Sequence, residues 1–421
     1  MSQINVNARE RATFIGEETS FGVLPSGSFP NAMTRCFPLG DDLIVGDLAT
    51  EMLPVMNEKV RRFDAQQPVH GLKIASKVGG LKTLLKATPS ASQLSAAGAA
   101  GSLSPRLLLR HCFAEYAVVG SVSASSASAT AVTVTTGEGV NFRKGTFIAV
   151  ENAANEMEWT KITNISTDTL TVSPALTGIP ADGAIVRNLY DYAPSESLQR
   201  SLSIQQRFVG ESDQSTSHSI KGCFGDLSWD LPVGKLPSMT LGVTATDYAF
   251  GETVSIATAS DDMGASFKWA PSVYLTTTAI SRIAPIPCEG VTLAFADAVE
   301  MVRDPSATQT VSSIVRVGGN PSVVKLGVKL RFDADHDTAF AADTAYTFVV
   351  VQKIGTGTTA SFWIMEVPVA KLVGQPKRIK IGERLHLDLA FEGYQDSSVT
   401  LASETGEELD FIKSPLRIAF G

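Results

Sequence analysis

The chain is organised around two stretches in which apolar and polar residues alternate, residues 219–231 and residues 380–389. Strict alternation predicts a strand with one apolar face and one exposed face. The second stretch is a faint repeat of the first, and each copy follows a turn that contains glycine. The sequence therefore predicts two related β units. The apolar positions, which we expect in a core, are Leu227, Trp229, Leu231, Leu385, Leu387 and Leu389.

Shorter strand patterns, separated by glycine, proline, asparagine and aspartate, fill most of the remaining chain. Residues 120–190 contain about five such strands and no helix signal, which is typical of a small β module inserted between two strands of a host domain. Such a module should sit outside the host core, because insertions are tolerated at exposed loops. We therefore predict a mainly β protein with two domains of the β-sandwich or barrel-forming type, short flanking helices and this inserted module. The predicted divisions are an N-terminal arm (1–40), a discontinuous first β domain (41–117 and 193–250), the inserted module (118–192), a second β domain (251–400) and a C-terminal arm (401–421).

Three short helices are predicted between the strands. Residues 81–85 place leucines at the i, i+3 and i+4 spacing of an amphipathic helix. Ser104 before Pro105 is typical of an N-cap followed by the first helical residue, in a helix that continues to Tyr116. Residues 338–346 have the composition of a third helix.

Composition and charge narrow the class of protein. A chain of 421 residues with 44% hydrophobic and 19% charged residues is typical of a globular protein of two or three domains. Its formal net charge of −8 argues against tight binding of nucleic acid through phosphate neutralisation. We expect no membrane segment, since no apolar run approaches the roughly 20 residues that span a bilayer. The four cysteines are far apart in the sequence and are expected to be thiols: Cys36, Cys112, Cys223 and Cys288.

Candidate metal chemistry is confined to one short segment. Asp333, Asp335 and Asp337 alternate like the start of a calcium-binding loop. Thr338 and Thr344 stand where an EF-hand requires glycine and glutamate. The favoured interpretation is a strand end passing into a helix N-terminus, where carboxylates are stabilised by the helix dipole.

Catalytic signatures are also missing from the sequence. Residues 355–360 resemble part of a dinucleotide-binding loop but lack its last glycine and a following helix, so a hairpin turn is expected. The five histidines are scattered, and neither HExxH nor GxSxG occurs. We therefore predict no catalytic, cofactor or metal site.

The densest basic positions are candidates for contacts between subunits. Short basic runs are usually solvated surface, but ion pairs to acidic patches of a neighbour can set the register of an assembly. The positions concerned are Arg61, Arg62, Lys377, Arg378 and Lys380.

Several segments, taken in order, resemble those of bacteriophage tail tube proteins. Residues 11–25 contain an apolar strand followed by glutamate, Phe-Gly and proline, which is similar to the opening of that family. The resemblance covers most of residues 8–115 and 193–395. The other similar segments are the short helix at 79–87, the strands at 201–206, 222–231 and 239–243, and the closing elements at 337–346, 363–368 and 382–391.

This resemblance implies a structural subunit of the tail of a long-tailed siphophage, assembled in the host cytoplasm. Family members carry β-sandwich-like tube domains and self-associate into stacked rings, through which DNA passes without specific binding. The smallest members form hexameric rings, and some larger ones carry a duplicated tube domain and form trimers with pseudo-sixfold symmetry. The faint repeat favours the duplicated form. Further implied partners are the tape measure, tail terminator and distal tail proteins.

A DNA conduit should repel phosphates, so acidic residues on polar strand faces are expected to line its lumen. A position on the outer surface is the alternative for each of them. The lumen-lining candidates are Asp226, Asp230, Asp388 and Glu392.

Two other classes of function stay open. A virion decoration or host-attachment protein built on β domains would hold its ligand site in residues 120–190. A glycan hydrolase on a β scaffold would need a pair of carboxylates, which 43 acidic residues can readily supply.

Overall fold

The computed structural model describes residues 6–25, 34–36, 50–57, 62–73, 76–85, 104–117, 120–194, 200–210, 215–245, 247–250, 266–277, 285–296, 299–303, 311–316, 323–331, 340, 344–381, 384–396 and 411–421. Strands dominate these residues, so the predicted mainly β fold class is confirmed. The first thirteen strands are β1 (Val6–Glu17), β2 (Thr34–Cys36), β3 (Thr50–Asn57), β4 (Arg62–Lys73), β5 (Ser76–Leu84), β6 (Ala114–Ala117), β7 (Gly120–Ala127), β8 (Ala131–Val134), β9 (Phe147–Glu151), β10 (Met157–Ser166), β11 (Thr169–Ser173), β12 (Ile185–Asn188) and β13 (Tyr190–Ala193). The others are β14 (Leu202–Gly210), β15 (Ser215–Cys223), β16 (Leu227–Pro232), β17 (Ser238–Ala245), β18 (Asp247–Phe250), β19 (Ser272–Thr276), β20 (Cys288–Ala296), β21 (Val299–Arg303), β22 (Val311–Arg316), β23 (Val323–Arg331), β24 (Ala345–Ile354), β25 (Ser361–Leu372), β26 (Lys377–Ile381), β27 (Arg384–Tyr394) and β28 (Arg417–Phe420).

Thirteen strands form one antiparallel sheet, to which both halves of the chain contribute. Its path runs β5-β17-β16-β20-β23-β27-β25-β28-β13-β6, while β24 joins β19 to β25 and β26 pairs with β27. The halves meet where β16 pairs with β20, with Leu227 opposite Phe295 and Leu231 opposite Val291. These side chains are buried and continue one apolar face across the junction.

One hydrophobic core therefore contains residues from both halves of the chain. The sequence predicted a first β domain (41–117 and 193–250) and a separate second one (251–400), and the structure corrects this division. The apolar side of β16 is completed by β20, so neither half closes a core by itself.

The N-terminal segment lies in a five-stranded sheet with the order β18-β15-β14-β1-β2. The arm predicted for residues 1–40 is thus wrong for β1, which pairs with β14 from Glu17–Leu202 to Ala12–Arg207. Residues 13–17 are all buried, so they lack the alternation that would have indicated a strand.

The helix predicted from the Ser-Pro pair is confirmed in part. Helix α1 (Ser104–Cys112) begins at the predicted N-cap but ends earlier than expected, and Tyr116 lies in β6. The chain leaves the helix into the core, where the Phe113 ring lies 4.7 Å from that of Phe295.

The helix predicted at residues 81–85 is wrong, because residues 81–84 belong to β5 and pair with β17. Leu81, Thr83 and Leu85 are buried in alternation, as in a strand. Leu81 and Leu85 fit both the helical and the strand period, whereas Leu84 fits only the helical one, and the pairing with β17 decides for the strand. Of the third predicted helix, at 338–346, the last two residues begin β24, and most of the rest lies outside the described residues.

The inserted module is a closed barrel with the order β10-β11-β8-β7-β12-β9. It has six strands where about five were expected, and a short 3-10 helix (Glu138–Asn141) that the sequence did not predict. The barrel has its own core, which includes Ile148, Leu170 and Val186. Its flanking strands β6 and β13 pair with each other, so the chain enters and leaves the barrel at adjacent points.

The barrel also packs against the large sheet, through a buried cluster that is separate from the core shared by both halves. Phe147 and Trp159 of the barrel share a buried cluster with Tyr274, Val349 and Phe362 of the host. The rings of Trp159 and Tyr274 have centroids 5.9 Å apart. The outer wall of the barrel is therefore part of the protein's interior.

The C-terminal segment 401–421, predicted as an arm, ends in a buried strand. β28 lies between β25 and β13, and its four residues are all buried. The Phe420 ring stacks on Trp363 with centroids 4.6 Å apart. The arm prediction is therefore wrong for this strand. A second 3-10 helix (Gly357–Thr359) lies in the β24–β25 hairpin, where the sequence predicted a hairpin turn.

Candidate functional site

One side of the large sheet is exposed across seven adjacent strands, β5, β17, β16, β20, β23, β27 and β26. On β16 and β23 the burial alternates at every residue, with the odd positions of β16 and the even positions of β23 in the core. We call the exposed side the polar face. Its residues include Lys82, Ser228, Asp230, Thr240, Thr292, Ala294, Lys325, Gly327, Lys329, Lys371, Lys377, Asp388, Ala390 and Glu392.

The register arranges these side chains in three rows across the strands. The middle row contains Asp230, Thr292, Gly327 and Ala390. One outer row runs from Lys82 through Thr240, Ser228, Ala294, Lys325 and Glu392 to Lys371. The other runs from Pro232 through Gly290, Lys329 and Asp388 to Lys377.

The four predicted lumen-lining acids are distributed over this side of the sheet. Asp230, Asp388 and Glu392 lie on the polar face, and Asp226 is exposed in the loop immediately before β16. β16 and β27 are three strand spacings apart, which is about 14 Å. The structure therefore places the acids on one surface but not in one cluster.

Between the two acidic strands lies a basic strand that sequence reasoning did not place there. Lys325 and Lys329 of β23 are exposed on the polar face, opposite Glu392 and Asp388. Their alternation with apolar residues was visible in the sequence, but the position of β23 between β16 and β27 depends on long-range pairing. The polar face is therefore mixed in charge rather than acidic.

A shallow depression of about 590 Å³ lies in the middle of the polar face. Small residues such as Ala294, Gly327 and Ala390 are part of its lining, and at Gly327 an added Cβ would lie 2.5 Å from Thr292 Oγ1. Small side chains, hydroxyl groups and charges of this kind can contact a ligand or polymer. Residues that line the depression include Ser228, Asp230, Thr292, Lys325, Val373 and Glu392.

A polar cluster at one end of this face contains a buried histidine. His386 has Nδ1 3.2 Å from Arg384 O and Nε2 3.6 Å from Glu289 Oε1. Glu289 also accepts a hydrogen bond from Arg331 Nη2 at 3.3 Å. The neighbouring Cys288 is not activated, because burial raises the pKa of its thiol to about 11. This cluster connects the ends of β20, β23 and β27.

The predicted inter-subunit contacts fall largely on one edge of the seven-strand section. Lys377, Arg378 and Lys380 are exposed on β26, which within the described residues pairs on one side only, with β27. β5 forms the other edge and pairs with β17. Arg62 begins β4, and its side chain and all of Arg61 lie outside the described residues.

One predicted core residue is misplaced on this edge. Leu387 and Leu389 are buried as expected, but Leu385 is 50% exposed. It lies near the start of β27 and pairs with Lys380 of the edge strand β26, beyond the end of the core.

A buried group of charges lies where the barrel meets the large sheet. Glu366 is 1% exposed and accepts hydrogen bonds from Lys161 Nζ at 2.6 Å and Arg417 Nη1 at 2.7 Å. Burial acts to raise the pKa of Glu366, and the two cations outweigh it and lower the pKa. Arg417 also donates to the backbone oxygens of Phe411 and Ile412. This group links Lys161 of the barrel to Glu366 and Arg417 of the sheet.

The described residues show no grouping of three or more histidine, cysteine, aspartate or glutamate side chains that could hold a metal ion. The calcium candidates Asp333, Asp335 and Asp337 lie outside the described residues. Three cysteines are free thiols, as expected: Cys112, Cys223 and Cys288. The side chain of Cys36 lies outside the described part of the structure. No helix in the described ranges is long and apolar enough to cross a membrane.

The sequence was compared with protein-family models and with curated proteins, and neither comparison gave a match. The geometry of the polar face and its edges is therefore the basis for inferring function.

Proposed function

We propose that the protein is a structural subunit of a bacteriophage tail tube, which assembles into stacked rings around a hollow conduit for DNA ejection. One observation carries the proposal. Seven adjacent strands from both halves of the chain present a single exposed polar face, while the reverse side is buried in one core. A wall of this kind is suited to enclose a water-filled lumen.

The edges of this wall give a physical reason for assembly. Within the described residues β5 and β26 each pair on one side only, and closure of such edges into a barrel would satisfy their remaining backbone groups. Exposed Arg378 and Lys380 on β26 would then meet acidic groups of the neighbouring subunit, while Lys377 stays on the polar face opposite Asp388. Lysines at an edge also discourage pairing with wrong partners, which favours ordered rings over aggregates.

The number of subunits in a ring is a separate question. The sequence favoured trimers because β27 repeats the pattern of β16, one sixth of a turn away. In the structure these two strands run in opposite directions, because β20 and β23 lie between them in an antiparallel order. Rotation about a tube axis cannot superpose antiparallel strands, so this repeat gives no argument for the trimer over the hexamer.

Electron microscopy and native mass spectrometry of the purified protein test the proposal together. We expect rings or tubes with a central channel, and the mass of one ring decides between three and six chains. A protein that stays monomeric at every concentration and salt condition would contradict the proposal. In the virion tail, the further proposed partners are the tape measure, tail terminator and distal tail proteins.

A second candidate is a virion decoration or host-attachment protein, and the closed barrel favours it. The barrel has its own core and exposes Val140 at 86% and Ile179 at 61% of their surfaces. Deletion of the barrel would expose its apolar contacts on the sheet, so it is not a clean test. The double variant V140S/I179S keeps those contacts. Loss of binding to host cells with assembly unchanged would support this second function.

A further inference from the structure

Two rows on the polar face have the same order of charges, lysine, acid and lysine. In each row the acid of β27 lies between a lysine of β23 on one side and a lysine of β25 or β26 on the other. The four lysines are exposed and the two acids are half-buried. The rows are Lys325–Glu392–Lys371 and Lys329–Asp388–Lys377.

The register places the backbone positions of the four lysines at the corners of a rectangle, and Lys371 Nζ lies 5.7 Å from the centre of the Tyr394 ring. The rows are four residues apart along the strands, which is about 13 Å, and the two lysines of a row are two strands apart, which is about 10 Å. In the described part of the chain, none of the four lysines forms an ion pair. Glu392 is instead held by a hydrogen bond from Tyr394 Oη at 3.0 Å, which raises the pKa of Tyr394.

The two rows therefore carry a positive local charge, opposite in sign to the net charge of the whole protein. Four lysines surround two carboxylates, whereas the chain carries a formal net charge of −8. A chain of regularly spaced phosphates is the ligand that two parallel rows of lysines can contact, because each contact releases counterions from the polymer. The acids between the lysines reduce the local potential without removing it.

We propose that these two rows form a weak contact site for the phosphodiester backbone of double-stranded DNA, whose affinity Asp388 and Glu392 keep low. The inference rests on the proposed tube function for its biological role, in which DNA must slide past the wall without being retained. The lysines contact successive phosphates as the polymer moves along the face, and the acids keep the affinity of each contact low enough for the DNA to be released.

Binding of a fluorescently labelled duplex of about 30 base pairs to the unassembled subunit tests the site. The subunit is isolated by size exclusion, and fluorescence anisotropy is measured at low and near-physiological salt. The variant D388N/E392Q should bind about tenfold more tightly than wild type at low salt, with a steeper salt dependence. Adding K325Q/K329Q to that variant should reverse the gain.

Matched substitutions outside the rows serve as controls, at the half-buried Glu138 and at the exposed Asp182, Lys235 and Lys268. These should leave the affinity at the wild-type value: D182N/E138Q for the acids and K235Q/K268Q for the lysines. A folded D388N/E392Q variant that binds no more tightly than wild type would overturn the inference, as would a gain that survives K325Q/K329Q.

The same preparations separate this inference from the tube proposal. Proteins that form tubes but show unchanged DNA affinity in the variants would contradict the contact site alone. Proteins that show the expected changes in affinity but never form rings would contradict the tube function alone.

Discussion

Replacing Glu366 with alanine should weaken the attachment of the barrel to the sheet and lower the free energy of unfolding. The Glu366 carboxylate accepts hydrogen bonds from both Lys161 at 2.6 Å and Arg417 at 2.7 Å. Its removal leaves these two cations without the carboxylate that they share. Breaking a buried ion pair in this way costs about 3–5 kcal/mol. The lower end of this range is expected, because the Lys161 side chain is 23% exposed and can be partly rehydrated.

Urea denaturation of the full chain, followed by tryptophan fluorescence, measures this loss. Trp159 lies at the junction and is buried, so separation of the barrel changes its environment. The variant E156A is the matched control. Glu156 binds Lys353 across the same junction, also at 2.6 Å, but the two side chains are 38% and 35% exposed. This solvent-screened surface pair should contribute much less to stability than the buried group.

The pH dependence provides an independent check. The pKa of Glu366 is lowered in the folded protein, so its carboxylate stabilises the fold above the ordinary glutamate pKa of about 4.3. That contribution is lost as the pH falls through the folded-state pKa, so the difference between wild type and E366A should shrink in acid. Similar losses in E366A and E156A, or a difference that does not change in acid, would refute the reasoning.

Two further substitutions test the packing and the buried charge. Gly225→Ala should cost about 3 kcal/mol, because the added Cβ would lie 1.5 Å from Gly242 O. Gly242→Ala, whose Cβ meets its nearest atom at 3.9 Å, should be tolerated in the same thermal denaturation experiment. Asp191→Asn removes a carboxylate whose pKa burial raises well above its ordinary value. The folded protein holds this proton more tightly, so wild type should lose stability relative to D191N as the pH rises from about 4 to 7.5, as measured by urea denaturation.

The sequence predicted those strands that have one face in the core and one face exposed. β16 and β23 alternate cleanly and were recognised, because each has a single buried face. β1 and β28 were taken for arms, since they are buried on both sides where the structure describes their side chains and carry no alternation. Arg417 in β28 is tolerated there through Glu366, which lies 51 residues away in the sequence. Such pairing is not visible in local patterns.

The charge of the polar face also depends on long-range strand pairing, which the sequence pattern does not reveal. The acids of β16 and β27 were identified as candidates from alternation alone, and three of them do lie on one exposed face. The charge of that face depends on which strand lies between them. Only the register of β23 against β27 brings Lys325 and Lys329 opposite the acids. Sequence patterns specify the two faces of a strand but not its neighbours.

The most direct test of the central claim is a three-dimensional reconstruction of the assembled protein by electron cryomicroscopy. We predict a hollow tube in which β16, β20, β23 and β27 form part of the inner wall and Asp230, Lys325 and Glu392 face the channel. A tube with this face on its outer surface, or a solid particle without a channel, would contradict it.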